Sequence, residues 1–138
     1  MEKQLNLVSY EQAQRLKKAG FDWETTHYYI KDDENKQCFA FWEHMNISGK
    51  SFRDFNHRDF RGGFISAQTV ALALKWFRNE KGIRGFVLQA NRANYKIFAD
   101  YDNGVNSGNY NLGYNFYNTY EAAESALLDE LLNILEKN

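Results

Sequence analysis

Thiol chemistry in this chain has one candidate nucleophile, Cys38, because no other cysteine occurs in 138 residues. A catalytic cysteine needs its thiolate, favoured by a positive neighbour or a helix N-terminus, and usually a base held in place by a third group. Reading 27–31 and 37–43 as a hairpin with Asp33 and Glu34 at its tip pairs His27 with Ala40 and sets His27 diagonally beside Cys38. That arrangement defines one function class, a small cysteine-dependent enzyme. Against it, Cys38 shares its strand face with Ala40 and Trp42, while Phe39 and Phe41 take the other, which is the pattern of a core and an inert thiol. His44 and His57 complete no zinc spacing. The glycines open no phosphate loop, since neither G-x-x-x-x-G-K-S/T nor G-x-G-x-x-G stands between a strand and a helix. The expectation is a non-catalytic protein with no metal and no cofactor.

A second chemistry resides in residues 45–64, MNISGKSFRDFNHRDFRGGF. Arg53-Asp54-Phe55 recurs as Arg58-Asp59-Phe60, and Lys50 and Arg61 add positive charge. Lys50, Arg53, Phe55, Arg58, Phe60 and Arg61 could pair phosphates and stack bases, as single-stranded nucleic acid is held. The neighbouring aspartates cancel about half of that charge, and the phenylalanines can equally tuck beneath a loop. Net charge, −1 for the chain, supplies no global attraction to nucleic acid or to an anionic membrane.

The elements that would position these residues follow from pattern. Ser9 and Gln12 have capping-box spacing for a helix from Tyr10 to about Ala19, stopped by Gly20. Ile65 and Ser66 read as the staple and N-cap of a central helix carrying Val70, Ala73, Leu74, Trp76 and Phe77 and ending at Gly82. Residues 84–90 and 94–101 form a hairpin about the turn NRAN, with Phe86, Leu88 and Ala90 matched to Tyr95, Ile97, Ala99 and Tyr101. This leaves Val87 and Phe98 on the opposite side. After the turn DNGVNSG, the alternation of Tyr110, Leu112, Tyr114 and Phe116 predicts a fifth strand. Thr119 caps a last helix whose stripe of Ala123, Leu127, Leu128, Leu131, Leu132 and Leu135 should cover the sheet.

The prediction is one domain, 1–138, of α+β class: a mainly antiparallel sheet of about five strands with three helices, in the order α-β-β-α-β-β-β-α. One face of that sheet would gather Phe39, Phe41, Val87 and Phe98, and an exposed apolar patch there would mark a protein interface. The start, MEKQLNLVSY, lacks an apolar leader core, and no stretch approaches a membrane span, so a soluble, cytoplasmic protein without membrane contact is expected.

Three segments, LVSYEQAQRLKKAGFDWE, SAQTVALALKWFRNEKGI and YNTYEAAESALLDELLNIL, resemble the signature segments of a family of small uncharacterised proteins common in Bacteroides-type bacteria and their phages. Gln68 stands where that family usually has proline, and Lys81-Gly82 replaces its K-H-N ending. The resemblance brings no known activity. It implies a phage or mobile-element setting in a bacterial host cell. The leading expectation is therefore a non-catalytic module that binds a host or virion protein, or a second copy of itself. A nucleic-acid-associated protein is the alternative, and the Cys38 enzyme comes third.

Overall fold

Residues 6–40, 56 and 63–137 are described by the computed structural model. They divide into two compact units, the first ending at Thr69 and the second beginning at Val70.

In the first unit, helix α1 (Tyr10–Ala19) is closed at both ends by its own sequence. The Ser9 hydroxyl accepts from the Gln12 N–H at 3.1 Å, and the Gln12 amide oxygen accepts from the Ser9 N–H at 3.0 Å. Gly20 takes φ 101°, a left-handed conformation open to glycine at little cost, and returns its N–H to the last carbonyls. Tyr10, Ala13 and Leu16 are buried as the spacing predicts. Strands β1 (His27–Ile30), β2 (Cys38–Ala40) and β3 (Phe64–Ala67) make an antiparallel sheet with β1 in the middle, and His27 stands opposite Ala40.

Strand β3 is a departure from the sequence reading. Ile65 and Ser66 are extended residues paired with Tyr29 and Tyr28, not the staple and cap of a helix. Short runs such as FISA satisfy their backbone equally well in a ladder, and here the Ser66 N–H also donates to the buried Asn56 side chain at 2.8 Å. The Asn56 amide reaches on to the Phe21 carbonyl at 2.9 Å, tying β3 to the segment after α1. Next along the chain, Gln68 is 1% exposed, and neither its amide nitrogen nor its oxygen has a hydrogen-bond partner among the described residues. An unsatisfied buried amide costs about 1–3 kcal/mol. Gln68→Met, similar in volume, should therefore raise stability by about that amount in urea unfolding; a loss would mean the amide is satisfied by bound water.

The second unit opens with α2 (Val70–Trp76), which widens into a π-helical turn (Phe77–Lys81) before Gly82 ends it at φ 67°. Strands β4 (Ile83–Asn91), β5 (Asn94–Asp102) and β6 (Ser107–Tyr110) form a second antiparallel sheet, in that order. Helix α3 (Tyr120–Glu136) is capped by Thr119, whose hydroxyl accepts from the Ala122 N–H at 3.1 Å. It packs on β4 and β5 with Ala123, Leu127, Leu128, Leu131 and Leu132 buried.

Two details of this sheet differ from the sequence reading. The third strand lies at Ser107–Tyr110, earlier than the predicted run through Phe116. Asn111 ends it by accepting the Gly113 N–H at 3.0 Å, and Gly113 turns the chain out at φ 86°. The chain rejoins only at Tyr117, which exchanges two backbone hydrogen bonds of 2.9 Å with Tyr95. The larger difference is a register shift between Gln89 and Asn91. Asn91 pairs with Asn94 across the expected turn, but Gln89 pairs with Tyr95, leaving Ala90 as the extra residue of a bulge. A slip of one residue moves a strand's side chains to the opposite face. Phe86 consequently stands opposite Phe98 rather than Ala99, and Val87 stands opposite Ile97.

The single sheet of about five strands does not form. The described residues hold six strands in two separate three-stranded antiparallel sheets, with three helices, in the order α-β-β-β-α-β-β-β-α. The class remains α+β. The added strand β3 completes the first sheet around β1, and the second hairpin builds its own sheet within the second unit. No helix among the described residues is long and apolar enough to cross a membrane.

Candidate interaction face

Alternation along β4 and β5 sorts the second sheet into two faces. Ile83, Gly85 and Val87 share one face with Ile97, Ala99 and Tyr101. Helix α3 covers it: a Cβ on Gly85 would lie 3.0–3.1 Å from three atoms of Leu127, so glycine is the residue that lets the helix sit down on the strand. The other face carries Arg84, Phe86 and Leu88 beside Lys96, Phe98 and Asp100. Phe86 and Phe98 stack with ring centroids 5.6 Å apart and planes 18° apart, yet remain 41% and 38% exposed. Leu88 is 52% exposed.

Beyond Leu88 the same face continues onto the segment between β6 and α3. The Lys96 ammonium lies 5.2 Å from the Phe116 ring centre and 5.6 Å from that of Tyr114, and both rings are mostly in solvent. At the opposite end, Arg84 Nε donates to Asp100 Oδ1 at 2.7 Å, a cross-strand ion pair. The result is a band of Phe98, Phe86, Leu88, Phe116 and Tyr114, bounded by an internally neutralised ion pair and crossed by one lysine. No family model, curated protein or solved structure matches this chain. Function has to be read from the face itself.

The four residues expected to share an interface are separated. Phe39 belongs to the first sheet, half-buried and stacked on Tyr28 at 5.8 Å. Val87 faces α3, and Phe98 alone lies on the open face of the second sheet. Phe41 lies outside the described residues, as do Lys50, Arg53, Phe55, Arg58, Phe60 and Arg61 of the basic and aromatic segment. Phe86, Leu88, Lys96 and Phe116 are the residues the sequence reading missed. Their hydrophobicity is plain in the sequence, but the bulge that turns Phe86 and Leu88 outward has no signal there.

Cys38 sits opposite Tyr29 on the side of the first sheet that α1 covers, where Tyr10 and Tyr29 pack edge to face at 5.5 Å. His27 is diagonal to it, as expected, and its Nδ1 lies 2.8 Å from the Thr26 hydroxyl. Burial pushes the thiol up to about 11, opposed only by a backbone hydrogen bond at Tyr28. Because the shift is upward, the protonated thiol is favoured by folding: its contribution is complete below pH 9 and fades as pH rises towards 11. Folded protein should react with a thiol reagent at pH 8 more slowly than urea-unfolded protein by about tenfold or more. Equal rates would show an open, ionisable thiol. Among the described residues no group of three or more acidic, cysteine or histidine side chains could hold a metal ion.

In the same unit, a cleft of about 400 Å³ is lined by Gln14, Lys17, Lys18, Lys31 and Ile65. Lys17 and Lys18 occupy the last turn of α1, where cations complement the helix dipole, and Lys17 donates to the Phe64 carbonyl at 3.0 Å. Those roles account for Lys17 and Lys18 without a ligand.

Proposed function

We propose that this protein is a non-catalytic binding module whose open face on the second sheet engages a protein partner. The observation that carries the reading is the Phe86–Phe98 stack, which leaves about two-fifths of each ring in water beside Leu88 and Phe116. Contiguous apolar surface of this kind, with aromatic residues at its centre and charge at its rim, has the composition of a protein interface.

The charges favour protein over nucleic acid. Single-stranded nucleic acid requires cations free to meet phosphates next to the stacking rings. Here Arg84 is neutralised by Asp100, and Lys96 is held over its own aromatic neighbours. A partner with an apolar centre and both signs of charge at its edge fits this face better than a polyanion does. The family resemblance would place that partner in a bacterial host or a virion, and this setting is part of the proposal.

The test compares immobilised wild-type protein with a Phe86→Ser/Phe98→Ser variant whose circular dichroism is unchanged. A bacterial protein identified by mass spectrometry on the wild type, then purified and titrated, should bind the variant at least about thirtyfold more weakly, the loss typical of two central aromatic anchors. Equal affinity for both would overturn the reading. So would salt-dependent binding of a single-stranded oligonucleotide that disappears in the variant.

A further inference from the structure

The open edge of β4 carries an inference that does not depend on the binding face. Backbone polarity along the strand can be read from two observed contacts. Tyr95 exchanges both of its backbone hydrogen bonds with Tyr117, so its groups point away from β4. Asp102 donates its N–H to the Gly82 carbonyl at 3.1 Å, so the even-numbered residues of β4 face β5. With period two, the N–H and C=O groups of Gly85, Val87 and Gln89 point to the outer edge. No strand among the described residues pairs with that edge.

Unpaired edges invite a further strand, and proteins usually blunt them with proline, lysine, short length or an inward bulge. Strand β4 is nine residues long, IRGFVLQAN, with Arg84 its only charge and no proline. The bulge lies at the turn end, leaving the run from Ile83 to Gln89 regular. Phe86, Leu88, Gln89 and Ala90 are exposed.

We infer that β4 pairs antiparallel with β4 of a second copy of this chain, centred on Val87. The centre follows from complementarity. That register sets Val87 against its own counterpart and Gly85 against Gln89 of the other copy, so residues with outward backbone groups meet residues with outward backbone groups, about six hydrogen bonds in all. Phe86 then lies beside Leu88 of the other copy, in the pair type where side chains approach most closely, and Arg84 lies beside Ala90. No like charges oppose one another. A register moved by one residue would set outward groups against groups already used by β5, and a larger shift would separate Phe86 from Leu88. The two-fold axis runs perpendicular to the sheet, so the open faces of both copies lie on one side of a six-stranded sheet.

The test is the mass of the full chain by sedimentation equilibrium up to millimolar concentration. Twice 16.2 kDa is expected at the upper end. Gln89→Pro removes an N–H that β5 does not use, so it should keep the monomer's circular dichroism and lose the dimer. Two charged variants test the side-chain contacts across the seam: Phe86→Asp/Leu88→Asp and Phe86→Lys/Leu88→Lys should each be monomeric, since like charges then face each other, and their mixture should restore the dimer. A monomer at every concentration would overturn the inference. So would a dimer indifferent to Gln89→Pro, or charged variants whose mixture does not associate. Equal partner affinity for wild type and the Phe86→Ser/Phe98→Ser variant, with the wild-type dimer observed, would count only against the binding face, so the two failures are distinguishable.

Discussion

Leu127→Ala should lower the unfolding free energy by about 2–5 kcal/mol, towards the upper part of that range. Leu127 is fully buried, and its branched end fills the space above Gly85 that a side chain would otherwise occupy. When it is truncated, the strand has nothing to move into the gap, so the cavity term stays large. The pair should also show coupling. Gly85→Ala alone forces a methyl to within 3.0–3.1 Å of Leu127 and should destabilise, whereas the same change in the Leu127→Ala background should partly restore stability. Urea unfolding of the four proteins measures this cycle. A cost below about 1 kcal/mol for Leu127→Ala would mean that α3 does not rest on this face of the sheet.

The second large effect is a contrast between neighbours. Val87→Asp should cost about 2 kcal/mol, because the carboxylate would enter the half-buried layer that Val87 shares with Ile97 on the side α3 covers. Phe86→Asp, one residue earlier, should cost about 1 kcal/mol, the worth of the ring contact with Phe98. Without the bulge the order would reverse, since Phe86 would face the helix. Denaturant midpoints of the two variants decide between the registers.

Much of the local structure was legible in the sequence because it depends on neighbours in the chain. The Ser9–Gln12 box, the Gly20 and Gly82 stops and the Thr119 cap are set by a few adjacent residues, and each forms as its residue types dictate. The leucine stripe of α3 was equally plain. The features without a local signal depend on distant partners. Strand β3 is fixed by β1, nearly forty residues earlier, so Ser66 with a cap's composition became a ladder residue tied to Asn56. The bulge at Ala90 is one residue in a nine-residue strand, yet it decides which apolar side chains α3 covers. Alternation alone gives Phe86 and Leu88 a periodicity of two without saying which side is inward. The candidate face was therefore visible as aromatic content and invisible as a location.

The proposed function rests on Phe86 and Phe98 being neighbours on a face that water reaches. Nuclear Overhauser contacts recorded with a soluble paramagnetic agent test this most directly. Contacts between the Phe86 and Phe98 rings, both strongly broadened by the agent, together with protected contacts from Val87 to Ile97, are the expected result. Contacts from Phe86 to Ala99 and Leu127, shielded from the agent, would contradict it.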